Sequence, residues 1–498
     1  MAKQDNLKHK AVSGMMWTTV QRFAGMGISF VSGIILARLL TPEDYGAIGM
    51  LTIFMLVAQT FLDGGFGAAL IQKKRPTQED YSTVFWFNLA MSIVLYLTLY
   101  VSAPLIANFY HMPILRDMLR VQALVLIISA ITIVQANQLR KTFQFKKIAI
   151  VTLMASIISL AVTIWMAYKG YGVWALVVQG LLLSAIPSII YWFTSKWYPK
   201  LVFSIKSFKE LFSFGGYMFL VHLINEFCNN IQGLLIGRLY NASTMGYYSK
   251  ARSTEKLAST SISQSLTQIT FPLYSEVQDD GPRLINLIKK LTGVIAYVTF
   301  PLMFLLILIA KPVFVLLYSD KWLPSVPYFQ ILCLAGIAIC LQSVNLQAIS
   351  AIGKSRTVFG WTLIKRAVGL ALVIGGLWIG GIKGLLTGMV LSSWFMYLVN
   401  AYLVSKHIGY KMGRQMMDLL PMLLVSLLAF AVGMLPNLFP LGLYVNGIIE
   451  LILFVSAYVG VSYLTKMSSL KDLIDLAPMF LGKLKRGSKK KLNKDQNK

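Results

Sequence analysis

Acidic side chains are scarce: 19 Asp and Glu stand against 46 Lys and Arg in 498 residues, and charged residues make up only 13% of the chain. A water-soluble fold of this size carries roughly one-quarter charged residues, so a cytosolic enzyme and a disordered tail protein are both excluded. Cysteine is almost absent. Cys228, Cys333 and Cys340 sit in apolar runs with no spacing for a disulfide framework or a metal site, which excludes a secreted disulfide scaffold. His9, His111, His222 and His407 are scattered, and no glycine loop with a lysine is present to cradle phosphate. No catalytic residue, metal or cofactor is therefore expected. Long loops are missing too: the longest connections are Ser195–Lys209 and Lys311–Pro324, too short for an inserted soluble domain. What the chain has in abundance is apolar surface, 56% hydrophobic residues with a mean hydropathy of +0.66, and that composition calls for lipid as solvent.

Apolar runs of membrane length lie at 13–39, 45–71, 81–107, 115–137, 147–169, 172–194, 210–237, 246–274, 284–310, 325–350, 357–379, 384–405, 415–435 and 443–465. They predict an all-α integral membrane protein with about 14 transmembrane helices. The first run is too long for a signal peptide, carries Arg22 and lacks a small-residue cleavage site, so it is expected to remain in the mature protein. Sorting Lys and Arg by loop places 32 on the side of the N terminus, 8 on the other and 6 within spans. By the positive-inside rule both termini are then cytoplasmic. This asymmetry accounts for most of the net charge of +27, and the aromatics lie in the spans, so nucleic acid is not an expected partner. The basic tail suits anionic inner-leaflet lipid.

The chain also repeats itself. Ile34-Ile35-Leu36-Ala37-Arg38-Leu39-Leu40 followed by Gly46 recurs 200 positions later as Leu234-Leu235-Ile236-Gly237-Arg238-Leu239-Tyr240 followed by Gly246, and Gly170, Ala175 and Leu176 are echoed by Gly380, Leu385 and Leu386. The expected organisation is a cytoplasmic N terminus (1–12), a six-helix bundle (13–194), a cytoplasmic linker (195–209), a second six-helix bundle (210–405), two further helices (415–465) and a basic cytoplasmic tail (466–498). Six is even, so both bundles share one topology and a pseudo-twofold axis along the membrane normal is expected.

Polar residues inside spans are costly and mark candidate sites. The eighth run is the most polar, and Arg252, Lys256, Ser259, Ser263 and Thr267 form one helical stripe that must line a wet cavity or pack on another polar helix. Glu255, next to Lys256 and three residues from Arg252, reads as a local ion-pair partner. Arg22 lies about nine residues into the first run, and Lys365-Arg366 about as far into the eleventh, roughly 12 Å deep at 1.5 Å per residue. Adjacent residues diverge by 100°, so one of Lys365 and Arg366 is expected to face the cavity. Arg38 and Arg238 each end a span, where a cation complements the helix C-terminus. Thr41-Pro42-Glu43-Asp44 reads as a helix start, and Asp63-Gly64-Gly65 as a structural interruption. Glu226, among Asn225, Asn229 and Asn230, is the candidate coupling acid, and Glu450 is a weaker one.

Gln21-Arg22-Phe23, Ala37-Arg38-Leu39-Leu40-Thr41-Pro42-Glu43-Asp44-Tyr45-Gly46, Asp63-Gly64-Gly65-Phe66, Gly172-Val173-Trp174-Ala175-Leu176, Gly237-Arg238-Leu239-Tyr240, Gly246-Tyr247-Tyr248-Ser249-Lys250-Ala251-Arg252 and Phe271-Pro272-Leu273-Tyr274-Ser275-Glu276-Val277-Gln278-Asp279-Asp280 resemble the polysaccharide transporter family of the multidrug/oligosaccharidyl-lipid/polysaccharide exporter superfamily. The similarity is to its Wzx-type branch, which includes colanic and teichuronic acid exporters, and runs from about residue 10 to 465. The resemblance implies two six-helix bundles around a central cavity in the bacterial cytoplasmic (inner) membrane. It implies a flippase that carries a polyprenyl-diphosphate-linked oligosaccharide, an O-antigen, capsule or exopolysaccharide repeat unit, to the outer leaflet by alternating access. No covalent chemistry is implied. Arg22, Arg252, Lys256 and one of Lys365 and Arg366 would attract the diphosphate, with membrane lipid and other glycan-assembly proteins as further partners. A multidrug or small-cation antiporter of the same superfamily is the alternative and should have an acidic cavity. A membrane glycan polymerase should show a large outward loop, which is missing.

The loop sorting makes a topological prediction. A cysteine introduced at Lys321 should react with an impermeant thiol reagent added to intact cells, and one at Asp279 only after permeabilisation; the reverse pattern would invert the orientation.

Overall fold

The computed structural model describes residues 2–195 and 197–473. Lys196 and most of the basic tail expected at 466–498 lie outside the described residues. Within them the chain is helical without strands: α1 (Ala2–Leu39), α2 (Pro42–Asp63), α3 (Phe66–Gln72), α4 (Gln78–Phe109), α5 (Ile114–Gln122), α6 (Leu124–Lys141), α7 (Phe145–Tyr168), α8 (Val173–Ser195), α9 (Ile205–Leu239), α10 (Ala242–Glu276), α11 (Gly281–Leu308), α12 (Ala310–Tyr318), α13 (Ser325–Ala351), α14 (Ser355–Ile408), α15 (Met412–Gly433) and α16 (Leu443–Leu464). Among the described residues, eleven stretches are long and apolar enough to cross a bilayer. The difference from the expected fourteen arises at two places. Helices α9 and α10 have the length, 35 residues each, and are not among the eleven. The stretch Gly360–Ile408, counted once, is 49 residues long, about 74 Å at 1.5 Å per residue.

That stretch is a hairpin. Gly380 (φ −132°) and Gly381 (φ 58°) leave helical geometry between the runs expected at 357–379 and 384–405, and the two arms close on each other through glycines. A Cβ on Gly376 would lie 2.2 Å from the Gly384 carbonyl oxygen, and one on Gly384 would lie 2.0 Å from that of Gly376. Only hydrogen fits there, which is the small-residue packing that lipid-embedded helices use.

Local signals behave as the residues dictate. Thr41 accepts from the Asp44 amide at 3.3 Å and Asp44 accepts from the Thr41 amide at 2.9 Å, a reciprocal cap behind Pro42. Thr77 and Asp80 repeat the device at α4. The break expected at Asp63-Gly64-Gly65 ends α2 with Gly64 left-handed (φ 50°), and Gly65 (φ 74°) starts α3.

By its contacts the chain divides into two compact units, one running to Lys250 and including Leu317–Trp322, the other comprising Ala251–Leu316 and the chain from Leu323 onward. The division falls at Lys250 because α9 packs on α2, α3 and α4. The first unit has a core where Phe66, Ala69 and Leu70 of α3 meet Val84, Phe85, Val134, Trp197 and Leu211. In the second, α13 is enclosed on most sides, with Cys333, Ile337, Leu341 and Val344 buried.

The 200-residue repeat is visible inside the first unit. Helices α1 and α9 end at Leu39 and Leu239, and α2 and α10 begin at Pro42 and Ala242. There α2 and α10 cross at their equivalent glycines. A Cβ on Gly46 would sit 1.8 Å from the Ala242 carbonyl oxygen, and one on Gly246 would sit 1.8 Å from that of Pro42. The contact is reciprocal, and it brings each glycine Cα against a carbonyl of the other helix. Gly46→Val or Gly246→Val should therefore lower the thermal midpoint of the detergent-solubilised protein, at a cost of about 1–3 kcal/mol or more from overpacking. Gly360→Val, where nothing lies within 4 Å of the added Cβ, should lower it far less.

Candidate functional site

Of the cations expected to line a cavity, Arg22 belongs to the first unit and Arg252, Lys256, Lys365 and Arg366 to the second. Arg22 is half-buried on α1, and its Nη2 is enclosed with no hydrogen-bond partner. A guanidinium carries five donors in a fixed fork, so a buried open donor is a place for an anionic or carbonyl oxygen.

On α10 the expected stripe divides. Ser259 is buried, and Ser263 Oγ lies 3.5 Å from Cys340 Sγ, which in turn lies 3.5 Å from the Ser259 carbonyl. The Ser263 hydroxyl and the Ser259 backbone thus pack on Cys340 of α13. Arg252 stays half-buried and Lys256 exposed. Glu255, read from the sequence as a local ion-pair partner, is 2% exposed and turned toward α13, where a Cβ on Gly336 would lie 2.6 Å from its Oε1. Ser259 hydrogen-bonds its carboxyl, and Arg252 and Lys256 act on it electrostatically.

The divergence of Lys365 and Arg366 holds. Lys365 is 6% exposed inside the α14 hairpin, and its Nζ donates to Asn400 Oδ1 on the other arm at 2.8 Å. It is a hairpin strut, which leaves the half-buried Arg366 as the candidate of the pair. On α9 the half-buried Glu226 accepts from Asn230 Nδ2 at 3.1 Å through Oε2. Asp63 is exposed at the end of α2. Glu450 is buried and accepts from Asn437 at 2.8 Å and Asn446 at 3.3 Å, which ties α16 to the turn preceding it.

The span-end arginines make more specific contacts than capping. Arg238, in the last turn of α9, meets the His111 ring and stacks 5.1 Å over Phe109. Arg38 Nε donates to the Leu317 carbonyl at 3.0 Å. The open carbonyls at the end of α1 are bound by the segment Leu317–Trp322. Trp322 Nε1 donates to Ala37 O at 2.8 Å, and Lys321 Nζ to Arg38 O at 2.8 Å and Leu40 O at 2.7 Å. Burial holds the Lys321 ammonium below its ordinary pKa, with Asp44 partly offsetting.

Lys250 completes this knot, and sequence reasoning missed it. It is 4% exposed and donates to the Gly33 carbonyl at 2.7 Å. Its Nζ lies 3.9 Å from the ring centre of Tyr318, 5.3 Å from Tyr45 and 5.7 Å from Trp322. The sequence showed Lys250 only as one more polar residue of a polar helix; three rings drawn from α2, α12 and the turn after it had no local signature. The role is a caged cation in a joint.

A multi-pass helical membrane protein with embedded cations and polar helices of spanning length is thus defined. A protein-family profile described as "polysaccharide biosynthesis protein" matches residues 35–327, more than half of the chain, and the chain belongs to that family. It is 27% identical over 358 residues to the teichuronic acid biosynthesis protein TuaB of Bacillus subtilis, covering 72% of this chain and 74% of that one. It is 24% identical over 405 residues to the lipopolysaccharide biosynthesis protein WzxC of Escherichia coli, covering 80% of each. To the succinoglycan biosynthesis transport protein ExoT of Rhizobium meliloti it is 26% identical over 481 residues, covering 93% and 94%. Among solved structures, the fold matches the lipid II flippase MurJ in an inward closed conformation with a TM-score of 0.74 at 16% identity, over 93% of this chain and all of that one. It matches an inward-facing multidrug resistance MATE transporter at 0.60 and 15%, over 80% and 98%. The resemblance to a family of polysaccharide transporters is borne out.

Lys250→Met keeps most of the apolar volume and removes the carbonyl bond and the ring contacts. It should destabilise the protein by about 1–3 kcal/mol, read as a lower thermal midpoint in detergent, whereas Lys354→Met on an exposed turn should leave the midpoint unchanged.

Proposed function

We propose that the protein is a flippase that moves a polyprenyl-diphosphate-linked oligosaccharide from the inner to the outer leaflet of a bacterial cytoplasmic membrane, without covalent chemistry. The observation that carries this reading is α10, a 35-residue helix of spanning length that keeps Arg252 and Lys256 on its less buried flank while Ser259, Ser263 and Glu255 pack on α13. A diphosphate with attached sugars cannot cross hydrocarbon unaided, and cations in a wet, low-dielectric setting offer it charge-assisted hydrogen bonds. Arg22, Arg252, Lys256 and Arg366 are the proposed binding cations, and Glu226 is the proposed coupling acid. The names of the relatives, tied to the biosynthesis of teichuronic acid, lipopolysaccharide and succinoglycan, support the substrate class.

Fourteen spans follow if the polar α9 and α10 and both arms of α14 cross the bilayer, giving two six-helix repeats, two further helices and cytoplasmic termini. Alternating access would then require the knot around Lys250 and the Gly46–Gly246 crossing to part and re-form in each cycle. An antiporter of cationic drugs is disfavoured because the 6 basic residues in spans exceed the acidic ones, Asp63, Glu226, Glu255 and Glu450.

Arg252→Ala should abolish surface glycan while leaving the amount of protein in the membrane unchanged, and Arg252→Lys should retain part of the export. Normal export by the alanine variant would sink the assignment.

A further inference from the structure

The segment between α8 and α9, residues 197–204, joins the two repeats and, with the first residue of α9, carries strongly exposed apolar side chains. Leu201 is 89% exposed, Ile205 64% and Tyr198 63%, with Phe203 and Val202 also open and Phe193, the neighbouring aromatic at the end of α8, at 81%. A linker in water would be expected to be polar. This one is also held in place. Trp197 is buried in the core around α3, and the extended stretch after it is fastened to the first turns of α4 by polar side chains. Gln78 Nε2 donates to the Tyr198 carbonyl at 2.8 Å, Trp86 Nε1 to the Lys200 carbonyl at 2.8 Å, and Ser82 Oγ and Thr83 Oγ1 accept from the Lys200 and Ser204 amides at 3.0 Å each. Irregular backbone is tolerated at membrane depth only where protein replaces water as its partner, and α4 does that here. The arrangement also explains why α4 buries Ser82 and Thr83 completely at the start of an otherwise apolar span.

Depth follows from α4 itself. At 32 residues it is about 48 Å long, well beyond the ~30 Å hydrocarbon layer, so its first turns, where the linker is fastened, stand among headgroups. The charge there is positive. Lys200, Lys206 and Lys209 are exposed. The nearby Asp80 and Glu210 are both engaged by Lys73 at 3.0 Å; burial alone would lower the Lys73 pKa, but these two carboxylates hold it above its ordinary value. Aromatic and aliphatic side chains interleaved with lysines are the composition of a membrane interface.

We propose that residues 197–206 form a fixed anchor lying in the headgroup layer of the inner leaflet, with anionic phospholipid as its partner. The leaflet rests on the orientation given under the proposed function; the lipid contact does not. The linker is thereby part of the first unit's surface and is not a free hinge between repeats.

The test uses the full chain with Cys228, Cys333 and Cys340 replaced by alanine and a nitroxide placed at Leu201→Cys, reconstituted in vesicles of phosphatidylethanolamine and phosphatidylglycerol. The expected result is a collision rate with oxygen above that with a water-soluble nickel complex, resembling a label at Leu105→Cys on α4 and unlike one at Asp279→Cys in a loop. Combined Lys200→Gln, Lys206→Gln and Lys209→Gln should shift the Leu201→Cys label toward nickel, and only in vesicles that contain phosphatidylglycerol. A label open to nickel overturns the proposal, as does one shielded from both reagents, which would mean that protein covers the segment. An unchanged ratio in the triple variant overturns the anionic partner. Because the readout is collision rate, a variant that fails to export glycan leaves the anchor standing, and a water-exposed label in an exporting protein removes the anchor alone.

Discussion

A polar group shut away from water needs a partner within the protein, and several of the chain's departures from plain helix follow from that. Each helix end leaves carbonyls without partners, and at α1 those of Ala37, Arg38 and Leu40 are taken by Trp322 and Lys321, side chains more than 280 positions away. The Lys365 ammonium, embedded in the α14 hairpin, is met by Asn400. The extended linker borrows its partners from α4. In each case an expensive group is matched by another that would be equally expensive alone, so the pair specifies one arrangement of distant segments more sharply than apolar packing could.

Where side chains would separate backbones, glycine removes them. The crossing of α2 with α10 and the closure of α14 use the same device, a glycine Cα against a carbonyl on each side. Such contacts have little tolerance: a single added methyl meets backbone, which cannot move aside as a side chain could. The sites that confer closeness are therefore also those at which the helices can meet in only one register, with Gly46 opposite Ala242 and Gly246 opposite Pro42.

Much of this was legible in the residues. Thr41 and Asp44, Gly64, Gly380 and the runs that became helices all declare themselves locally, through caps, left-handed turns and apolar length. The repeat was legible from Arg38 and Gly46 returning at 238 and 246, and its helix boundaries fall in register. The candidate cations were chosen where charge sits within apolar runs, and the divergence of Lys365 from Arg366 followed from helical geometry. What could not be read is which side of a polar helix meets protein. Ser259 and Ser263 share a stripe with Arg252, and periodicity cannot distinguish a hydroxyl that packs on Cys340 from one that faces water. Glu255 stood beside two cations in the sequence, yet it points into α13 because Gly336 leaves room there. The cage around Lys250 is assembled from Gly33, Tyr45, Tyr318 and Trp322, none within its own helix.

Leu317–Trp322 is flanked on both sides by chain that clusters with the second unit, yet it clusters with the first. The halves of this protein are therefore not interchangeable cassettes. A chimera made by joining the first repeat of one relative to the second repeat of another would bring a foreign Lys321 and Trp322 to the end of α1 and a foreign Lys250 to Gly33 and Tyr45. Recombination within such a lineage would be expected to succeed when these few residues travel with the helix ends they bind. Selection on this short segment is then coupled to selection on residues 33–45, far away in the gene but adjacent in the folded chain.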